Sequence, residues 1–293
     1  MPNVVAIKGL WMISITPEVL ADIKEGFKVP SPPDLLIEVQ RICADDEPDL
    51  MALANLVASD IGLSAAILKT INSPLYGMNR VVSDINQAVM LLGISSVSTL
   101  IAGILVQQSF QGEAAISFER LWDNAHTVAE TMVYIGQNID DKIPPENLYT
   151  AGLFHDCGIA AMSMRFKDTY LDTLIKANED REHNQAMVEM DTYNTNHAIV
   201  GYYIASGWKL PKDICNVVLN HHENDFLRHN HDHASNLVYA ALKVADNMVS
   251  QLKRQQNIQC WPWVKEACFD QLGIEEHKYV DLREDLQDLW DQV

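Results

Sequence analysis

The apolar rhythm of this chain is what most restricts its possible folds. Leu35, Leu36, Val39, Ile42 and Cys43 recur at helical spacing. Leu50, Leu53, Leu56 and Val57 do the same, followed by Ile67, Leu68 and Ile71. The pattern resumes at Ile85, Ala88, Val89, Leu91 and Leu92, and again at Phe118, Leu121, Trp122, Ala125, Ala129, Met132 and Val133. Further helices are predicted near residues 146–162, 167–177, 193–206, 211–221 and 234–254. Val97 to Val106 is apolar nearly all round, which predicts a buried central helix. No Asn-Gly turn sits between alternating runs, so strands are not expected. The predicted fold class is all-α, built as two packed helical subdomains.

Local signals place the helix ends. In Ser31-Pro32-Pro33-Asp34, Ser31 is expected to cap a helix that opens at Pro32, with Asp34 favouring the dipole. Ser64 is expected to cap the third helix, and Ser73-Pro74 to stop it. Ser83 opens the next, and Gly93 closes it. The break at Gln111-Gly112-Glu113 divides the chain into an N-terminal arm (1–28), a helical half (29–112) and a second half (113–293). Glu275 to Asp291, with interleaved Leu and Trp, reads as an amphipathic surface helix.

Charge and cysteine usage narrow the partners. Across 293 residues, 21 Lys and Arg stand against 40 Asp and Glu, a net charge of −19. That balance argues against binding duplex DNA, RNA or an anionic membrane face. No apolar run approaches the length of a membrane span. The stretch Gly9 to Ile15 lacks the flanks of a secretory signal. Five cysteines without a Cys-x-x-Cys pair suggest a reduced, cytoplasmic protein.

The histidines and inward carboxylates carry the chemistry. His155-Asp156 follows the apolar run Ala151 to Phe154. On a helix such neighbours splay by about 100°, so both reach one ion only at a polar pocket inside the bundle. His126 lies in the helix beginning near Trp122. His197 opens Asn196 to Gly201, and His221-His222 ends the helix begun at Pro211. Asp246 sits inside the apolar run Ala240 to Met248, where a carboxylate needs a partner, a proton or a cation. Together these are the side chains of a two-cation site, imidazoles for transition metals and carboxylates that tolerate bridging.

Each residue also has a plainer reading. His126 could be a hydrogen-bonded core residue, His197 a polar first residue of its helix, and His221-His222 a cationic helix end. Asp246 could pair with Lys243 on the surface. Cys157 reads as a buried small hydrophobe, and Arg228 to His233 as a solvated loop.

The order His126, His155-Asp156, His197, His221-His222, Asp246 resembles the HD phosphohydrolase superfamily, its HD-GYP branch most closely. The stretches Val29 to Pro33, Asp60 to Leu63, Ile71 to Gly77, Ser83 to Gly93 and His197 to Pro211 are similar to the HDOD (HD-related output domain) family. The likeness runs from about Val29 to about Leu252. It implies an HD-like second half and a bacterial cytoplasmic role in signal transduction. It also implies two divalent ions per chain (iron, manganese or zinc). His126, His155, Asp156 and Asp246 would hold one ion, and Asp156, His197, His221 and His222 the other. Asp156 would be the catalytic bridge, and a shared hydroxide would attack a phosphoester. A signalling protein partner and a homodimer fit the same picture.

The chain also departs from these relatives. His155-Asp156-Cys157-Gly158-Ile159 lacks the Lys of the His-Asp-x-Gly-Lys pattern. Asn224-Asp225-Phe226 follows His221-His222-Glu223, so the Gly-Tyr-Pro signature is missing. Trp122 replaces a Glu that some relatives place before the first His, so a third metal is not expected. Only Arg165 and Lys167 lie near His155 in sequence, too few cations for a triphosphate site. A catalytically inactive interaction module is the alternative to a metal-dependent phosphohydrolase.

Overall fold

The structure, a computed structural model, describes residues 26–27, 30–76, 80–180, 182–229 and 231–291. The N-terminal arm, apart from Gly26 and Phe27, and the Gly9 to Ile15 stretch lie outside the described residues. The described residues form helices and no strands, which is the predicted fold class.

Helix α1 (Asp34–Cys43) starts two residues later than expected, with Pro33 extended at φ −57° and ψ 149° in the capping position. Pro32 precedes another proline, which holds it out of the helical region, so neither Ser31 nor Pro32 joins the first turn. Aspartates rather than serines then cap the next helices. Asp49 accepts hydrogen bonds from Met51 and Ala52 N–H at α2 (Leu50–Ala58). Asp60 accepts from Leu63 at α3 (Ile61–Ile71), and Asp84 from Gln87 at α4 (Ile85–Leu92). A carboxylate at this position satisfies a free N–H and also meets the positive helix end. Ser64, an expected cap, lies inside α3 and donates to the Val57 carbonyl.

The predicted central helix is α5 (Ile94–Ser109), buried at Val97 and from Thr99 to Val106. It packs on α1, α3 and α4, and across the 111–113 break on α7 (Pro145–Phe154). Helix α6 (Phe118–Gln137) lies against α7 and against the long α13 (His233–Arg254). Between them run α8 (Cys157–Arg165), α9 (Tyr170–Glu179), α10 (Gln185–Tyr193), α11 (His197–Gly207) and α12 (Lys212–Asn220). Helices α14 (Trp261–Leu272) and α15 (Glu276–Asp291) finish the chain. As predicted, α15 is amphipathic and buries Tyr279, Leu282 and Leu286.

One bridge ties the beginning of the chain to the end of α11. Trp208 Nε1 donates to the Pro30 carbonyl at 3.0 Å, and Gln40 Nε2 donates to the Trp208 carbonyl at 2.6 Å. Trp208 itself is buried against Phe154, with ring centroids 5.8 Å apart. Among the described residues no single helix is long and apolar enough to cross a membrane.

Candidate metal centre

The predicted helix over 146–162 is two helices, and the break falls on the His-Asp pair. Helix α7 stops at Phe154 and α8 starts at Cys157, with Asp156 at φ −104° and ψ 9°. This sparsely populated backbone region recurs at functional sites. The turn removes the splay of an unbroken helix, so His155 Nε2 and Asp156 Oδ2 meet at 3.2 Å. Two glycines allow the close packing around the turn. A Cβ on Gly158 would collide with the His197 carbonyl of α11, and one on Gly152 with the Ala129 backbone of α6.

Four residues from three places in the chain converge here. His197 opens α11, His221 and His222 follow the last residue of α12, and Asp156 comes from the α7–α8 turn. One ligand atom from each lies within 4.8 Å of the others. His197 Nε2 is 3.2 Å from His221 Nε2 and 2.8 Å from His222 Nε2. Asp156 Oδ1 lies 3.6 Å from His197 Nε2 and 3.5 Å from His221 Nε2.

The opposite edge of three of the rings is fixed. His155 Nδ1–H donates to the Gly152 carbonyl at 2.7 Å, and His221 Nδ1–H to the Val218 carbonyl at 2.9 Å. His197 Nδ1–H donates to Glu189 Oε2 at 2.6 Å, and the His197 backbone N–H reaches the same oxygen at 2.7 Å. With Nδ1 of His197 and His221 donating to these acceptors, their Nε2 lone pairs face each other at 3.2 Å, which calls for a positive centre between them, a proton or a cation. His222 Nε2 lies 2.8 Å from His197 Nε2.

Burial and charge act on these groups in opposite directions. Burial opposes charge on His155, yet the Asp156 carboxylate outweighs it and lifts the pKa to about 9. His197 is also raised, because Glu189 outweighs burial. Burial alone would raise the Asp156 carboxyl, but His155, His221 and His197 hold it well below the usual range. His221 is pushed down to about 4, and His222 well below its ordinary value, both chiefly by burial.

The structure brings Asp156, His197, His221 and His222 together and sets His155 on the other oxygen of Asp156. Asp246 is half-buried on α13, and burial raises its carboxyl while the charge of His155 counters that. Lys243, considered above as a surface partner for Asp246, is instead only 3% exposed, and the two form no ion pair. His126 is not among the four converging residues. Its Nε2 meets Gln107 Oε1 at 2.8 Å and its Nδ1 meets Tyr149 Oη at 3.1 Å, which ties the ring into the contact between α5 and α7. Of the 228–233 tract, His229 is half-buried and faces Asp225, and His233 is exposed and faces Asp141. Cys157 is a buried free thiol.

Sequence reading missed Glu189. It lies on α10, a helix that was not predicted, and is completely buried. Besides His197, it accepts from Tyr170 Oη at 2.6 Å and from Gln185 Nε2 at 2.9 Å. A carboxylate behind an imidazole fixes the tautomer and sharpens the donor facing the metal. The one signal for it was an acidic residue between Val188 and Met190, eight positions before His197.

The donor set fits a divalent ion. Ligand atoms held tetrahedrally at about 2.0–2.1 Å from zinc stand roughly 3.4 Å apart. Four of the contacts here run from 2.8 to 3.6 Å, and all four ligand atoms lie within 4.8 Å of one another. Three imidazoles and one carboxylate suit zinc, iron or manganese better than magnesium or calcium.

An uncharacterized protein of Treponema pallidum (strain Nichols) is 28% identical over 200 residues, which covers 66% of this chain but only 37% of that protein. Two solved structures share the fold. A "Putative metal-dependent phosphohydrolase" from Shewanella amazonensis SB2B matches with TM-score 0.66 and 17% identity, over 93% of this chain and 96% of its own. A "Putative signal transduction protein" from Marinobacter aquaeolei VT8 matches with TM-score 0.64 and 14% identity, over 95% of this chain and 60% of its own. The model of the HDOD domain matches residues 29–224, and the chain therefore belongs to the HDOD family.

Proposed function

We propose that this chain is a cytoplasmic signal-transduction protein whose centre holds two divalent cations and hydrolyses a phosphoester. Asp156, His197, His221 and His222 would hold one ion. His155, Asp246 and the second oxygen of Asp156 would hold the other. The observation that carries this reading is the convergence of three imidazole nitrogens and one carboxylate oxygen at ligand spacing.

Bound ions of this kind acidify water and polarise phosphoryl oxygens. The chain's own residues prepare the place for that chemistry. Asp156 turns Oδ1 towards His197 and His221 and Oδ2 towards His155, which is the disposition of a bridging carboxylate. The carbonyls of Gly152 and Val218 and the carboxylate of Glu189 lock three rings in one tautomer. His155, His197 and His221 are buried, while Asp156, His222 and Asp246 are partly open to solvent.

Elemental analysis of the purified chain tests the centre. The expected result is near-stoichiometric iron, manganese or zinc, lost in Asp156→Asn and His197→Ala. A folded, metal-free wild type would overturn it. Manganese-dependent turnover of generic phosphodiesters and phosphomonoesters, abolished in Asp156→Asn, tests the chemistry.

A second reading, a metal-bearing interaction module without turnover, is favoured by Ile159 standing where relatives carry a phosphate-facing Lys. Metal content with no hydrolysis of any phosphoester class would select it, and a signalling protein would then be the ligand.

A further inference from the structure

Lys243 lies in the middle of α13, three residues before Asp246, so the two share a face of the helix. It is 3% exposed. Among the described residues its ammonium forms no ion pair and donates no hydrogen bond; it rests 5.6 Å from the centre of the Tyr239 ring. Tyr239, one turn earlier, donates its hydroxyl to the Glu223 carbonyl at 2.6 Å, which pins α13 beneath the turn that carries His221 and His222. The positive charge of Lys243 is felt at His222, Glu223 and Asp246.

A lysine can bury its stem while its ammonium stays available at the tip, and this one has no ion-pair partner among the described residues, so its charge is free to meet an anion. The candidate centre lies against this face, and its expected substrate is an anion. The His155 side supplies no cation, because Ile159 occupies the position of the usual Lys. A lysine serves as a compact point charge for phosphoryl oxygens.

We propose that Lys243 forms an anion subsite beside His222 and Asp246, taking a phosphoryl oxygen of a phosphoester or of free inorganic phosphate. This rests on the metal-centre reading above and deepens it, since the missing cation is delivered from α13 instead of α8.

The test is calorimetric titration of inorganic phosphate into the full-length, manganese-loaded chain, compared with Lys243→Met and Lys243→Gln. Both variants are expected to keep their manganese and to bind phosphate at least tenfold more weakly. Without phosphate, Lys243→Met should melt close to the wild-type temperature, because the ammonium makes no ion pair among the described residues that the change would break. Equal phosphate affinity in wild type and variants overturns the subsite. So does loss of manganese or of folding in both variants, which would make Lys243 structural. Should wild type hold no manganese, the metal centre fails. Phosphate titration of metal-free protein then decides the subsite separately, with equal affinities overturning it.

Discussion

Nδ1–H of His197 points straight at the Glu189 carboxylate across 2.6 Å, and solvent reaches neither side chain. Removing the carboxylate strands the imidazole N–H, the His197 backbone N–H and the Tyr170 hydroxyl. Glu189→Ala is therefore expected to lower unfolding free energy by about 1–3 kcal/mol and to weaken metal binding about 10–100-fold. Glu189→Gln, which keeps an acceptor oxygen, should lose less of both. Denaturant titration and competition with a chromophoric chelator measure the two effects.

A proton and a cation compete for His155 Nε2. The pKa of this ring is lifted to about 9 from 6.5 because Asp156 outweighs burial. The metal-free folded form thus retains a proton at neutral pH that the unfolded chain has lost. Stabilisation from that pair is complete below the unfolded value of 6.5 and vanishes as pH rises through about 9. Metal on this side needs the bare nitrogen, so its affinity should climb between those two values, with about one proton released per ion. Calorimetry in buffers of different protonation enthalpy counts that proton. An affinity independent of pH across this window would contradict the assignment.

His126 tests where the ligand set ends. Because Gln107 and Tyr149 already engage both ring nitrogens, His126→Ala should leave the metal content unchanged. Stability should fall by about 1–2 kcal/mol from the lost hydrogen bonds. Metal loss in this variant would return His126 to the first coordination sphere.

Gly158 and Gly207 make a matched pair. Ala at 158 would push into the His197 carbonyl, so Gly158→Ala should cost about 1–3 kcal/mol and weaken metal binding through His197. Gly207 has open space around its missing side chain, and Gly207→Ala should be neutral or slightly stabilising. Parallel melting curves and metal titrations compare them.

The helices were legible because their stability comes from apolar periodicity, which is written in consecutive residues. Their starts were less so: Asp60 and Asp84 compete with Ser64 and Ser83 for the same role, and only the fold picks the winner. The site was partly legible through its adjacent pairs, His155-Asp156 and His221-His222. The break between α7 and α8 was invisible, since the apolar pattern continues through Cys157 and Ile159. Glu189 could not be found, because its importance arises only when α10 folds back on the start of α11. His126 looked like a ligand because a histidine on an apolar helix face reads alike whether it meets an ion or a glutamine. Lys243 looked like a surface residue for the same kind of reason.

Helix α11 has a ligand imidazole at one end and, just past the other, the Trp208 that is clasped by Gln40 and Pro30. Its 11 residues make a stiff strut of roughly 16 Å. A displacement of the first helix that carried Trp208 with it would bear on His197 along this strut, and by reciprocity an ion held at the imidazole cluster would bear on the first helix.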